Sequence, residues 1–450
     1  MTAISYTDQV LTGWGRTAPS RAIVGEPRAL AAVEELVASR PARGVLGRGA
    51  GRSYGDAAQN ASGYVIRPIS PPQLEVDQVA ATLHASAGTT FTEVLTATVP
   101  HGLLPPVLPG TRHLTIGGAV AADVHGKNHR RDGSIAAWVD EIELLDGSGT
   151  VRRLRPDHDR DAFLATTGGM GLTGIILAVT LRLLRVRSAM LEVGSRRLDD
   201  LDAVLAALEA ASSRYSVAWI DTTAAGRSLG RGIVDTADHL PGPDPLREPD
   251  GLNYRPPRAR RAPALPLSPV RPWSARGFNR LHFHRAPREH HGLSDLPGFF
   301  HKLDAVAGWN RAVGPGGLVQ YQFVVPDGGE KLIARAIELV QRHGCAPFLG
   351  TLKRFGPASG GALSFPLPGW SIAIDMPAGR PGVGPALAEL DHEVADAGGR
   401  VYLAKDSRLG RASFDEMYGP PAAWRTARAE LDPYGVFQSD LGRRLGLCGS

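Results

Sequence analysis

The stretch of sequence that decides the fold is a glycine-rich turn, Gly47-Arg48-Gly49-Ala50-Gly51-Arg52-Ser53-Tyr54-Gly55, which is followed by Asp56. Glycines at alternating positions allow the backbone to approach a ligand closely, because no Cβ atom stands in the way. Consecutive backbone N–H groups in such a turn form a concave surface that binds anions. Arg48 and Arg52 add positive charge. The turn indicates a diphosphate site, although an ordinary tight turn also contains glycines at this spacing.

The two common nucleotide-binding turns fit this stretch poorly. A P-loop needs Gly-Lys-Ser/Thr at the start of a helix, and the turn contains no lysine. A Rossmann turn leads directly into a helix, whereas Asp56 is followed by small and polar residues. Two further glycine-rich segments occur at 108–129 and 167–176. Three such segments predict a long ligand that lies along exposed backbone, as an extended dinucleotide would.

Length and composition indicate an ordinary globular protein. The chain has 450 residues, which suggests two domains or one elaborate domain. It is 43% hydrophobic and 21% charged. No apolar run approaches the roughly 18 residues of a membrane span. With two cysteines, Cys345 and Cys448, we expect neither a disulfide framework nor a metal site.

The N-terminal residues have neither a basic start nor an apolar core, so we expect no Sec signal peptide. A cytoplasmic location is compatible with the cysteine content. A membrane-associated or periplasmic location is left open.

Hydrophobic periodicity predicts an α+β fold. The first third alternates strands, turns and a helix, and the region after residue 188 alternates strands and helices, which favours an antiparallel sheet covered by helices on one face. The predicted helices are 27–40, 198–211, 330–343 and 385–397, and the predicted strands are 64–66, 174–184, 216–220, 319–325 and 371–376, with a hairpin at 141–151.

One segment is strongly basic and rich in proline. Residues 247–289 contain ten arginines and three acidic residues, so this segment carries a charge of +7 while the whole chain carries +5. Residues 241–272 contain ten prolines and are expected to lack regular structure.

We interpret 241–290 as a disordered insertion or a lid. Its charge would attract a phosphate, an anionic membrane or nucleic acid. The arginines lack interleaved aromatic residues on a recognisable fold, so nucleic acid is not the expected partner.

Several strings of residues, in the same order along the chain, resemble the vanillyl-alcohol oxidase family of FAD-linked oxidases, also called the p-cresol methylhydroxylase (PCMH) type. They are 11–20 (LTGWGRTAPS), 51–56 (GRSYGD), 125–129 (HGKNH), 309–311 (WNR), 363–366 (LSFP), 404–408 (AKDSR) and 432–437. The resemblance implies a two-domain FAD-linked oxidase. A PCMH-type FAD-binding domain at 1–190, completed by 398–450, would join an antiparallel-sheet substrate domain at 191–397.

The resemblance also implies a set of cofactor contacts. The residues at matching positions are Gly47, Arg48, Gly49, Ala50, Gly51, Arg52, Ser53, Tyr54, Gly55, Asp56, Gly110, Thr115, Ile116, Gly117, Gly118, Ala122, Asp123, Val124, His125, Ile176 and Tyr402. Many members attach FAD covalently to a histidine in the glycine-rich turn. Arg52 stands at that position here and cannot form the bond, so the FAD is expected to be non-covalent.

For catalysis, the resemblance implies Lys405, Tyr54 and His125. Lys405 would orient a substrate hydroxyl or stabilise reduced flavin, unless it forms an ion pair with Asp375 or Asp406. His125 is expected to contact backbone or flavin more often than to act as a base. The implied substrate contacts are Lys127, Trp219, Phe300, Gln320, Gln322, Lys353, Phe355 and Ala373.

The implied reaction is the oxidation of a secondary alcohol on a ribosyl substrate, from the 2′-hydroxyl to the 2′-ketone. The substrate would be a small ribosyl or sugar compound, with a lipid phosphate as one form of it. A reductase partner would then complete an epimerisation of the kind used in cell-wall arabinan synthesis. Ribosyl-oxidising members have cysteine, tyrosine and asparagine where this chain has Ala373, Phe300 and Ser371. An FAD-linked oxidase of another sugar, a nucleoside or an aldonolactone is therefore the alternative.

Overall fold

The glycine-rich turn follows directly on a short strand of the first sheet, so its backbone is held in place at the end of that strand. The computed structural model describes residues 4–242, 251–419 and 421–448. The strands of the first part are β1 (Ile4–Leu11), β2 (Ser20–Pro27), β3 (Val45–Gly47), β4 (Tyr64–Ile66), β5 (Leu74–Asp77), β6 (Thr82–Ser86), β7 (Leu103–Leu104), β8 (Val139–Leu145), β9 (Val151–Leu154), β10 (Ile175–Arg182) and β11 (Leu184–Arg185).

The later strands and the helices complete an α+β fold, as predicted. The strands are β12 (Met190–Leu198), β13 (Tyr215–Ile220), β14 (Gly232–His239), β15 (Arg260–Arg261), β16 (Glu289–Asp295), β17 (Val306–Ala307), β18 (Leu318–Val325), β19 (Leu349–Phe355), β20 (Gly369–Pro377) and β21 (Arg400–Val401). The helices are α1 (Leu30–Ala38), α2 (Phe91–Thr98), α3 (Ile116–Ala121), α4 (His129–Asp132), α5 (Arg160–Thr166), α6 (Leu201–Ala210), α7 (Pro272–Arg285), α8 (Leu296–Phe300), α9 (Lys331–Arg342), α10 (Val383–Asp396), α11 (Arg411–Tyr418), α12 (Ala422–Leu431) and α13 (Asp440–Arg444).

Two sheets build the first part of the chain. One has the strand order β1-β2-β4-β3, and the other, fully antiparallel, has the order β5-β6-β10-β8-β9. The C-terminal segment returns to the first sheet, because the N–H of Val45 donates to the carbonyl of Val436 at 2.8 Å. Val45 and Phe437 form a parallel bridge there. The end of the chain therefore lies beside the strand that carries the glycine-rich turn.

The second part is an eight-stranded antiparallel sheet with the order β16-β12-β14-β13-β19-β20-β18-β21. Alternate residues of a strand point to opposite faces. On β18, the hydroxyl of Tyr321 donates to Asp391 of α10 at 3.0 Å, whereas Gln320 and Gln322 line a cavity. One face of this sheet therefore packs on helices and the other is free to hold a ligand.

The predicted elements are present, each within a few residues of its predicted ends. The expectation for 241–290 was wrong in part. Residues 243–250, which include Arg247, lie outside the described residues. Beyond them, β15 pairs with β17, and α7 begins at Pro272. Proline is compatible with the first turn of a helix because its missing N–H would have no partner there. No helix of the described residues is long and apolar enough to cross a membrane.

Candidate active site

A cavity of about 1170 Å³ lies between the glycine-rich turn and the open face of the eight-stranded sheet. Most of the predicted site residues line it together. They are Gly47, Gly49, Ala50, Gly51, Arg52, Ser53, Tyr54, Gly110, Thr115, Gly118, Ala122, Val124, His125, Lys127, Trp219, Phe300, Gln320, Gln322, Lys353, Ala373, Tyr402 and Lys405. These residues come from positions up to 358 apart in the chain, and the fold brings them to one place.

Three predicted residues of the turn face away from the cavity and hold the turn from behind. The guanidinium of Arg48 donates to the carbonyls of Thr12 and Ala58 at 2.8 and 2.5 Å. Asp56 accepts two hydrogen bonds from Arg444 at 2.7 and 2.9 Å. Gly55 lies against the backbone of Asp406. Their role is therefore to shape the turn, and they do not supply charge at the cavity surface.

The other predicted residues that do not line this cavity also have identifiable positions. Ile116 and Gly117 lie in the first turn of α3, and a Cβ on Gly117 would overlap Ala87. Asp123 is buried and accepts from Ser359 at 2.7 Å. Phe355 packs behind His125, with its ring centre 4.7 Å from the imidazole.

Ile176 lines a second cavity of about 350 Å³. This second cavity lies close to the large cavity, because a Cβ on Gly47, which lines the large cavity, would lie 3.6 Å from the side chain of Ile175, which lines the second one.

The turn has the features that a bound dinucleotide requires. A Cβ on Gly49 would overlap the hydroxyl of Thr115, and Gly51 has a φ of +63°, so side chains are disfavoured at both positions. Thr115 caps α3 by accepting from the N–H of Gly118 at 3.3 Å. The residues present therefore fit FAD, with bare backbone facing the cavity where a diphosphate would lie.

His125 is a neutral histidine held by an amide. Nε2 of Gln322 donates to Nε2 of His125 at 3.0 Å, so the imidazole proton is on Nδ1. Burial and the nearby positive charges of Lys353, His129 and Lys405 keep the pKa of His125 well below its ordinary 6.5. A hydrogen bond with the backbone of Gly126 opposes this shift only in part. This arrangement makes His125 a poor general base.

Lys405 is half-buried next to Tyr54, with its Nζ 4.1 Å from the centre of the Tyr54 ring. Burial lowers the pKa of Lys405 to about 8, and the carboxylate of Asp375 opposes that shift. Burial raises the pKa of Asp375 to about 7, and Gln320 donates to this carboxylate at 2.8 Å. Among the described residues, Lys405 forms no ion pair with Asp375. Asp406 is engaged by Arg444 at 2.8 Å. The ammonium of Lys405 is therefore free to meet a ligand.

The cavity has an excess of positive charge. Burial and the neighbouring Lys405 lower the pKa of Lys353 to about 8, and burial lowers the pKa of Lys127 to about 7. Lys127 donates to the carbonyl of Phe299 at 2.5 Å, while Lys353 has no partner among the described residues. Arg52 lies over the ring of Trp14, 4.2 Å from its centre. Such a cavity favours an anionic ligand.

The structure adds residues to the site that the sequence analysis missed. Phe278 and His282 of α7 line the cavity, and the ring of His282 lies 4.6 Å from that of Trp219. Ser371, which stands where ribosyl-oxidising members have asparagine, also lines the cavity and accepts from Gln322 at 3.2 Å. Within the described ranges, no group of three or more His, Cys, Asp or Glu residues could hold a metal ion.

The comparisons with known proteins agree with this geometry. The FAD binding domain family matches residues 22–155. Decaprenylphosphoryl-β-D-ribose oxidase of Mycolicibacterium smegmatis is 37% identical over 99% of this chain and 99% of its own length. An uncharacterised protein of Streptomyces coelicolor is 44% identical over 78% of this chain and 97% of its own. An alditol oxidase of a Streptomyces species is 31% identical over 34% of this chain. The full-length match, the FAD binding domain and the cavity built on the glycine-rich turn show that this chain belongs to the FAD-linked oxidases of the p-cresol methylhydroxylase type and is an FAD-dependent oxidoreductase.

Proposed function

We propose that this protein oxidises a secondary alcohol on a ribosyl substrate, from the 2′-hydroxyl to the 2′-ketone. A relative that matches the chain end to end is named as an oxidase of a phosphoryl-linked ribose. The observation that carries the proposal is that Lys405, His125 and the two glutamines of β18 converge on one cavity with the glycine-rich turn. We further propose that a reductase partner consumes the ketone and completes an epimerisation.

Gly47, residues 49–53, Thr115, Gly118 and Tyr402, which line the cavity, would hold the FAD. Arg52 at the position of the histidine in covalent relatives supports a non-covalent cofactor. Bound flavin supplies the acceptor for the hydride that leaves the substrate carbon. The protein then has to orient the alcohol, exclude water and take up the hydroxyl proton.

We assign the proton to Lys405. An amine whose pKa is about 8 exchanges protons readily near neutral pH, because both its forms are populated there. Oxidation removes a hydride from carbon and a proton from oxygen. The neutral amine of Lys405 would accept that proton and become an ammonium group near Asp375. Tyr54, which is buried and packs on Lys405, would hold that amine in place. His125, whose pKa burial keeps well below its ordinary value, would not take the proton.

We assign substrate binding to the open face of the sheet. The side-chain amide nitrogens of Gln320 and Gln322 donate hydrogen bonds to Asp375 and His125, respectively. Their carbonyl oxygens are then left to accept from sugar hydroxyls. Lys353, without a partner in the described part of the chain, would bind a phosphate as a point charge. Trp219 and Phe300 supply apolar walls.

The departures at Ala373 and Phe300 support a second candidate. Both residues line the cavity, and both lack the polar atom of the residue expected there. A less polar wall suits a different sugar, a nucleoside or an aldonolactone. The match to an alditol oxidase covers 34% of this chain, so it supports this candidate less.

Anaerobic bleaching of the flavin tests the proposal. The purified yellow protein would be mixed without oxygen with a matched panel of ribosyl phosphates, nucleosides, alditols and aldonolactones. We expect ribosyl phosphates to bleach the flavin, and the 2′-deoxy analogues to leave it oxidised because they lack the reacting hydroxyl. Bleaching by alditols or aldonolactones alone would replace the first candidate with the second. A colourless protein that does not take up FAD would overturn both.

A further inference from the structure

Helix α7 lies on the protein surface with a narrow buried stripe. Ala275, Asn279 and Phe283 are buried and are spaced four residues apart, which places them on one side of the helix. Asn279 donates to Asp221 at 3.2 Å, and Phe283 lies 4.3 Å from the guanidinium of Arg231. These contacts fix which side of α7 faces inward and which side faces solvent.

The outward side of α7 carries large apolar residues. Trp273 is 76% exposed, Phe278 is 64% exposed and Leu281 is 50% exposed. Leu267, shortly before the helix, is 73% exposed. Single exposed apolar residues are common on soluble proteins. Four within fifteen residues, three of them on the outer side of one helix, form a surface that favours an apolar environment.

Arginines surround this apolar surface. All nine arginines of 251–290 are exposed, and Glu289 is the one acidic residue of that range. No ion pair of these arginines occurs in the part of the chain that the structure describes. They are Arg255, Arg258, Arg260, Arg261, Arg271, Arg276, Arg280, Arg285 and Arg288. Unpaired guanidinium groups beside exposed apolar side chains complement a surface that is anionic outside and apolar beneath.

The apolar surface continues into the mouth of the active-site cavity. Phe278, Leu303 and Val306 all line the cavity, yet they are 64%, 45% and 42% exposed, so they lie at its entrance. Arg261 of β15 also lines the cavity and is exposed, and β15 pairs with β17, which contains Val306. The cavity therefore opens within the basic and apolar surface.

We propose that α7 and the rim formed by β15 and β17 dock on the surface of an anionic lipid bilayer. Exposed aromatic and aliphatic side chains on a surface helix enter the headgroup region of a membrane, and anionic headgroups attract the arginines around them. This docking goes beyond the proposed reaction, since binding to vesicles requires no turnover. It would present the cavity mouth to the membrane, so that a substrate with a lipid chain reaches the cavity while its chain stays in the bilayer.

The observations favour a membrane over other occupants. A nucleic acid would use the arginines but would leave Leu267 and Leu281 exposed to water. A second copy of this chain would have to face an equally basic surface, which is repulsive. A bilayer with anionic headgroups satisfies both the charge and the apolar side chains.

Flotation of the FAD-loaded protein with vesicles tests the docking. We expect the protein to float with vesicles of phosphatidylcholine mixed with phosphatidylglycerol, and to float far less with phosphatidylcholine alone. Salt should weaken the binding, because it screens the arginines. We expect the doubly substituted W273S/L281S protein and the R276E/R280E protein each to lose at least about tenfold in bound fraction.

Two controls make the test specific. Val10 and Val79 are 60% and 90% exposed on the first sheet and on the loop after β5, so the V10S/V79S protein should float like the wild type. Trp273 and Leu281 do not line the cavity, so W273S/L281S should keep the rate of flavin bleaching by a soluble substrate, which separates lost docking from lost function. Equal flotation of the wild type and both surface variants would overturn the proposal. So would binding of the wild type to RNA in place of vesicles, or a dimer that W273S/L281S dissociates.

Discussion

A Cβ atom on Gly55 would overlap the backbone carbonyl oxygen of Asp406. The two backbones meet because the N–H of Tyr54 donates to the carbonyl of Ala404 at 2.9 Å. This contact brings the segment that carries Lys405 directly against the glycine-rich turn. One backbone contact therefore fixes the position of Lys405 relative to the glycine-rich turn.

Substitution of Gly55 by alanine should disrupt this contact. The methyl group collides with backbone, which cannot move aside as a flexible side chain would, so we expect about 1–3 kcal/mol of lost stability from overpacking. We expect both the midpoint temperature of thermal unfolding and the flavin content of the purified protein to fall. The matched control is Gly410→Ala, because nothing lies within 4 Å of a Cβ there. A G55A protein with wild-type stability and flavin content would contradict the prediction.

Substitution of Lys405 by methionine should slow anaerobic flavin reduction while the protein stays yellow. Methionine keeps most of the apolar stem but removes the amine, so we expect a loss of about 10²-fold or more in the reduction rate. Stopped-flow absorbance in the flavin band measures that rate. Lys331→Met is the control, since Lys331 is exposed on α9, away from the cavity. An unchanged rate in K405M would remove Lys405 from the mechanism.

The pH dependence of flavin reduction should respond to Asp375. If the neutral amine of Lys405 accepts the proton, the rate rises with pH through the lysine's pKa, which is about 8. The negative charge of Asp375 raises that pKa, so the D375N protein should reach half of its maximal rate at a lower pH than the wild type. Rate profiles between pH 6 and about 10, bracketing these lysine values, measure the midpoint. A midpoint that stays in place or moves to higher pH would show that another group titrates.

Lys353 should discriminate between charged and uncharged substrates. Its ammonium has no protein partner in the described residues, so its removal costs a phosphate-bearing substrate more than it costs a nucleoside. We expect K353M to raise the KM of a ribosyl phosphate by about 10-fold or more and to leave the KM of an uncharged substrate within about twofold. Steady-state kinetics on both substrates give the comparison. Equal changes in KM for the charged and the uncharged substrate would show that Lys353 shapes the cavity and does not recognise the phosphate.

The flavin should leave the protein on acid precipitation. Arg52 cannot form the covalent link that a histidine makes at this position, so we expect the yellow colour entirely in the supernatant and FAD as the released species. Chromatography of the supernatant identifies it. A yellow pellet would require a covalent attachment elsewhere in the chain and would contradict the prediction.

The glycine-rich turn was predictable because its signal is local: four glycines and two arginines occur within nine consecutive residues. The side on which the guanidinium of Arg48 lies was not predictable, because its partners, the carbonyls of Thr12 and Ala58, depend on how separate segments fold together. The same holds for Asp375 and Lys405, which come from β20 and from the loop after β21.

Helix α7 was missed for a different reason. The proline content of 241–272 suggested irregular structure throughout the segment, and the four-residue spacing of Ala275, Asn279 and Phe283 just after Pro272 was the signal that would have predicted the helix.

Arg444 joins two carboxylates that are 350 residues apart in the chain, Asp56 beside the glycine-rich turn and Asp406 beside Lys405. During synthesis, the turn leaves the ribosome long before Arg444 is added. A nascent chain that already contains the whole glycine-rich turn still lacks Arg444, the residue that joins the turn to the segment of Lys405. Flavin colour should therefore appear only after the last helix has emerged, which would make the yellow of a cell extract a measure of chains completed and not of chains begun.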